Sequence, residues 1–239
     1  MEQIKGILFI DIETVPIEPE FNLLAEGMQA EWARKAKFVK SATEGTTDAA
    51  ALFGERAGIF SEFAKVVCIG FGSLHEDNGW KMRLKSLVND NEKLLLKDFC
   101  EVITKFTAHY KDLVFCGHNI KEFDIPFLCR RMVINNVALP QCMNVAGKKP
   151  WEVSHIDTME MWRFGDHKNF TSLSLLAEVL GIPSPKSDMD GSKVADVYWH
   201  EKNLARIGAY CLLDVLTSAR VYLRLKGIHN MEIEPVFVA

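Results

Sequence analysis

The chain has 239 residues, 48% of them hydrophobic and 25% charged, with a formal net charge of −4. This composition is that of an ordinary soluble globular protein: no run approaches a membrane span, residues 7–10 are too short for a signal-peptide core, and the expected compartment is cytoplasmic. The charge balance argues against a protein that coats nucleic acid broadly, but not against a cleft enzyme whose bound cations supply positive charge locally.

The first predicted element carries the strongest signal. Ile7, Leu8, Phe9 and Ile10 form an unbroken apolar run, suited to a strand covered on both faces. The run ends in Asp11 and Glu13, which point the same way because side chains alternate along a strand. Two carboxylates side by side at the end of a buried strand repel each other and lose hydration. A hard cation between them, Mg²⁺ or Mn²⁺, removes both costs. The plainer reading is a strand running into an acidic surface loop.

Phe21, Leu24, Met28, Trp32 and Ala36 then recur at helical spacing, and residues 47–57 give a second helical piece. Together they predict a helical insertion over about residues 20–60. Its basic stretch at 33–40 reads either as a solvated helix C-terminus or as a phosphate contact. Residues 65–74 and 80–87 predict a second and third strand, joined by a turn at 75–79. An amphipathic helix follows over 91–110, then a fourth strand over 113–116. An irregular loop spans 135–154, and residues 155–162 predict a fifth strand. Helices are expected over 171–180 and 203–225, with a polar loop at 184–192 between them. The order predicts one α/β domain over 1–239, with a mixed five-stranded sheet flanked by helices. Six scattered cysteines without a C-x-x-C pair read as buried free thiols.

Two further acids lie inside apolar patterns. Asp124 stands in EFDIPFL at a helix start, and Asp214 in YCLLDVL within a helix. A charge in such surroundings is expensive unless it is paired or metal-bound. Tyr210 lies four residues before Asp214, so the two share a helical face. Each has a plain account: Asp124 as a helix cap, Asp214 as a partner of Arg206 or Lys202, Tyr210 as a core aromatic. Four acids in this order, each following the right element, point instead to metals at one end of the sheet.

FIDIET at 9–14, N-x-x-x-F-D at 119–124 and Y-x-x-x-D at 210–214 resemble the three exonuclease motifs of the DEDD superfamily. The tyrosine spacing resembles that of the tyrosine subfamily; the histidine subfamily would place its histidine where this chain has Ala209. The form of the first two motifs is similar to the proofreading exonuclease domain of family B DNA polymerases, here as a stand-alone relative. The resemblance implies a ribonuclease H-like fold and two-metal removal of nucleotides from 3′ ends of single-stranded DNA. It implies that Asp11, Glu13 and Asp214 hold one metal, and that Asp11, with Asp124 acting through water, holds the other. Tyr210 would orient the attacking water, Thr14 would contact the terminal nucleotide, Asn119 the strand, and Phe123 or Phe127 a base. Asp157 is expected to be structural, and Lys168 to meet phosphate at the rim. An exoribonuclease of the same superfamily, or a non-catalytic nucleic-acid-binding or polymerase-associated subunit, are the alternative readings; a polymerase or repair protein is a conceivable partner.

Overall fold

A computed structural model describes residues 2–41, 48–111, 113–166, 168–183, 189–229 and 231–238. A short helix, α1 (Glu2–Lys5), leads into β1 (Ile7–Pro16). The insertion follows, with α2 (Glu26–Ala36) and α3 (Ala49–Arg56) packed on each other through Trp32, Leu52 and Phe53. The helix expected from residue 20 starts only at Glu26, because Leu24 is extended and Phe21–Leu23 forms a separate 3₁₀ turn. Residue 47 of the second helical piece lies outside the described residues. β2 (Ala64–Glu76) and β3 (Trp80–Val88) form an antiparallel hairpin closed by left-handed Asn78 and Gly79. Then come α4 (Glu92–His109), β4 (Val114–Gly117) and α5 (Asp124–Ile134).

The expected fifth strand over 155–162 is cut short. β5 is only Ile156–Asp157, because the Asp157 carboxylate accepts the N–H groups of Met159 and Glu160 and so caps α6 (Thr158–Arg163). α7 (Leu173–Val179), a short α8 (Val194–Asp196) and the long α9 (Leu204–Leu225) complete the helical part. The sheet has six strands, not five. The tail returns as β6 (Ile233–Phe237), parallel to β3 at the edge, where Pro235 is tolerated. The strand order is β5-β4-β1-β2-β3-β6; β1 runs antiparallel to β2 and parallel to β4.

Alternation along β1 decides what each face meets. Leu8, Ile10 and Ile12 pack with Leu95, Phe99 and Ile103 of α4 and Ile125 and Leu128 of α5. Ile7 and Phe9 pack on the other face against Leu212, Val215 and Leu216 of α9. Asp11 and Glu13 continue this second row, so they point toward α9. Three of the cysteines (Cys68, Cys116, Cys211) are buried and three are half-buried; all six are free.

A buried ion pair fixes α5 to the rest. Arg131 donates from Nε and one terminal nitrogen to the two Glu92 oxygens, at 2.8 and 2.6 Å, and from the other to Ser61 O at 2.8 Å. Glu92 also accepts from Val66 N and Asn135 Nδ2. One bidentate contact therefore joins α4, α5, β2 and the end of the insertion. Removing one partner leaves a charge buried without compensation. Arg131→Leu should cost about 3–5 kcal/mol in denaturant unfolding, with part of the loss recovered in Glu92→Leu/Arg131→Leu. A single-variant loss below about 1 kcal/mol would contradict this role.

Candidate active site

The site is assembled where β1 ends. Asp11 pairs with Gly70 across to β2, and that glycine has a steric purpose. A Cβ at position 70 would stand 2.7 Å from Cys211 Sγ and 3.1 Å from Val215. Its absence lets α9 settle on the sheet, so that Cys211 Sγ lies 3.3 Å from both the Asp11 carbonyl and carboxylate oxygens. Beside Cys211 on α9, Tyr210 and Asp214 lie one turn apart, close enough for each to shift the other's titration. Asp124 arrives from the other side, in the first turn of α5, and accepts the Ile12 N–H at 3.2 Å. Ligand atoms of Asp11, Glu13 and Cys211 lie within 4.8 Å of one another.

The second motif is held by an acid outside the three motifs. Asp157 accepts the backbone N–H groups of Asn119 and Lys121 at 2.9 and 3.0 Å, besides those of its own helix cap. Asn119 thereby keeps a left-handed backbone (φ 65°) and its carbonyl receives Glu122 and Phe123, which starts the turn into α5. Asn119 Oδ1 is buried and has no hydrogen-bond partner. Thr14 donates its hydroxyl to Gly58 O at 2.7 Å. A cleft runs beside these residues, lined by Glu13, Thr14 and Phe123 together with Gly54, Gly58 and Ile59 of the insertion and Ser192. Phe127, by contrast, is fully in the core, and Lys168 is exposed in the turn after α6 with its backbone N–H on Asp166. Sequence reasoning missed Cys211 and Gly70, whose positions signal nothing until α9 is laid on β2.

The electrostatics are those of crowded acids. Burial, with Asp124 and Asp214 adding repulsion, pushes Asp11 well above the usual carboxylate range, and the Cys211 thiol draws it part of the way back. Burial and then Asp11 raise Glu13 in the same way. Asp214 is raised by burial and eased by Tyr210. Asp124 is pushed up to about 7, chiefly by burial. Burial and the neighbouring acids also raise the Tyr210 hydroxyl, which keeps it neutral. Among the described residues the close ligand group is Asp11 and Glu13 with the Cys211 sulfur, Asp124 and Asp214 lying outside it, and the two β1 carboxylates are oxygen donors suited to a hard divalent cation.

Residues 59–234 match a family described as a predicted 3′-5′ exonuclease related to the exonuclease domain of PolB. The chain belongs to this family. Asp124, Tyr210 and Asp214 lie inside the matched region, and the β1 acids precede it. Among solved structures, the family B DNA polymerase of the hyperthermophilic archaeon Pyrobaculum calidifontis matches with a TM-score of 0.50 and 17% identity. That match covers 91% of this chain and 24% of the polymerase chain. The likeness is one of fold, the ribonuclease H-like arrangement of a mixed sheet flanked by helices. No curated protein matches the chain. Among the described residues no helix is long and apolar enough to cross a membrane.

Asp124 gives a signed pH dependence in metal-free protein. A carboxyl whose folded pKa is raised contributes stability that is fully present below the unfolded value and lost as pH rises through the folded one. The window for Asp124 therefore runs from about 4 to about 7. Asp124→Asn keeps an oxygen for the Ile12 N–H and does not titrate. Its stability relative to wild type should rise across that window, by about 4 kcal/mol at most. Thermal unfolding in chelator at pH 4 and 7 checks this; a difference that does not change with pH would refute it.

Proposed function

We propose that this chain is one metal-dependent exonuclease domain that hydrolyses the terminal phosphodiester of single-stranded DNA, from the 3′ end, releasing nucleoside monophosphates. The observation that supports it most is the mutual influence of carboxylates from β1, α5 and α9 beside Tyr210, with Glu13 lining a cleft next to them. Asp11, Glu13, Asp124 and Asp214 would hold two divalent cations, Mg²⁺ or Mn²⁺, which when bound neutralise the acids and activate both water and leaving oxygen.

The chain's own groups have the following parts. Tyr210 stays protonated beside Asp214, and its neutral hydroxyl would hydrogen-bond the attacking water and aim it. Water oxygen bonds to phosphorus, and the bond from phosphorus to the preceding nucleotide's 3′ oxygen breaks. The Thr14 hydroxyl hydrogen is already given to Gly58 O, leaving its oxygen as an acceptor for the terminal nucleotide's 3′ hydroxyl. Asn119 would contact the strand beside the turn into α5, and Phe123, half-buried at the cleft, would offer a ring for a base. The choice of DNA follows the family's relation to a polymerase exonuclease domain.

End-labelled DNA and RNA oligonucleotides test the reading in single turnover. With Mg²⁺ or Mn²⁺, a 3′ label should leave at once as mononucleotide, a 5′-labelled strand should shorten stepwise, and chelator should stop both. Tyr210→Phe should slow the chemical step about 10- to 100-fold, the worth of one positioning hydrogen bond. Cleavage in excess chelator, or equal rates with chemistry limiting in Tyr210→Phe, would overturn it. DNA and RNA arms separate the exonuclease from its exoribonuclease alternative.

A further inference from the structure

The helical insertion lies almost wholly outside the family match, which begins at residue 59. It has its own core: Trp32 packs edge-on against Phe53, Phe60 and Phe63, and its Nε1 donates to Ala49 O at 2.7 Å. Its inner edge, Gly58 and Ile59, is a wall of the cleft beside Glu13 and Thr14. Its outer edge joins that wall directly. Lys35 Nζ sits over the Phe60 ring at 4.2 Å, next in sequence to Ile59. Arg56, two residues before Gly58, donates from Nε to Lys40 O at 2.9 Å. Between these two anchors, the Phe38 ring stands 89% exposed, flanked by Lys37 and Lys40.

An aromatic ring so exposed contributes nothing to the insertion's core. Among the described residues, Lys35, Lys37 and Lys40 have no acid within ion-pair distance. Of the described acids on these helices, Glu31 pairs with Arg34 and Glu55 accepts the Ser41 hydroxyl. Exposed cations alternating with a stacking ring, continuous with the cleft, match a single-stranded polyanion whose bases have free faces. On a chain of net charge −4, this local excess is a specific feature. We propose that the Lys37–Phe38–Lys40 edge of the insertion is a track for single-stranded nucleic acid upstream of the 3′ end, contacting phosphates through the lysines and stacking one base on Phe38.

The proposal rests on the exonuclease reading of the cleft, and the test keeps the two apart. The half-saturating protein concentration for single-turnover cleavage is measured for dT12, rU12 and a trinucleotide over a range of salt, in wild type and Lys37→Ala/Phe38→Ala/Lys40→Ala. All three side chains are exposed, and trinucleotide cleavage serves as the check on folding. The variant should need about tenfold more protein for whichever 12-mer wild type cleaves, the loss expected for one stacked base. Its log–log salt slope should be shallower by about 1.4, the share of two phosphate contacts on a single strand. Trinucleotide cleavage should match wild type. An unchanged 12-mer value and slope, or an equal loss on the trinucleotide, overturns the track while leaving the nuclease reading standing. Wild type that cleaves no substrate overturns the nuclease reading, and the track with it.

Discussion

Mutual repulsion among Asp11, Glu13, Asp124 and Asp214 is the constraint on which the rest of this structure depends. Each acid is deprived of water and raised by burial first, and the β1 pair is raised further by its neighbours. A fold gains nothing in stability from such an arrangement. It is tolerated where the surrounding packing over-determines it, and where a bound cation relieves it.

The surroundings supply that over-determination from three directions. β1 is covered on both faces, so alternation leaves Asp11 and Glu13 one direction, toward α9. Gly70 carries no Cβ to push against Cys211 and Val215 of α9. The Glu92–Arg131 pair anchors α5, and Asp157 gathers the loop before it, which together fix Asp124 against the Ile12 N–H. Tyr210 and Asp214 then stand one turn apart on the same face of α9. The insertion adds the far wall of the cleft through the Thr14–Gly58 contact.

Much of this was legible in the residues. Apolar runs ending in acids, a 3.6 period through residues 204–225 and a Tyr four residues before an Asp depend on local order alone. What could not be read depends on contacts distant in sequence or on competition between local forms. Residues 155–162 alternate well enough for a strand, but Asp157 caps a helix three residues into the run, and capping wins over weak strand propensity. Pro235 inside Ile233–Phe237 argues against a strand in the sequence; the segment becomes one because β3 presents an open edge, where a proline is tolerated. Phe123 and Phe127 looked equivalent, yet the turn of α5 puts one at the cleft and the other in the core. Cys211 read as a buried free thiol like the other cysteines, and the close approach allowed by Gly70 brings it to Asp11.

Locating the cation tests the account at its root. Anomalous diffraction from crystals soaked in Mn²⁺, compared between wild type and Asp11→Asn, is the direct measurement. The account predicts manganese peaks in wild type within coordination distance of Asp11, Glu13 and Asp214, and their loss or marked weakening in Asp11→Asn. Wild-type crystals with no peak among these acids at millimolar Mn²⁺, or with equal peaks in the variant, would contradict it.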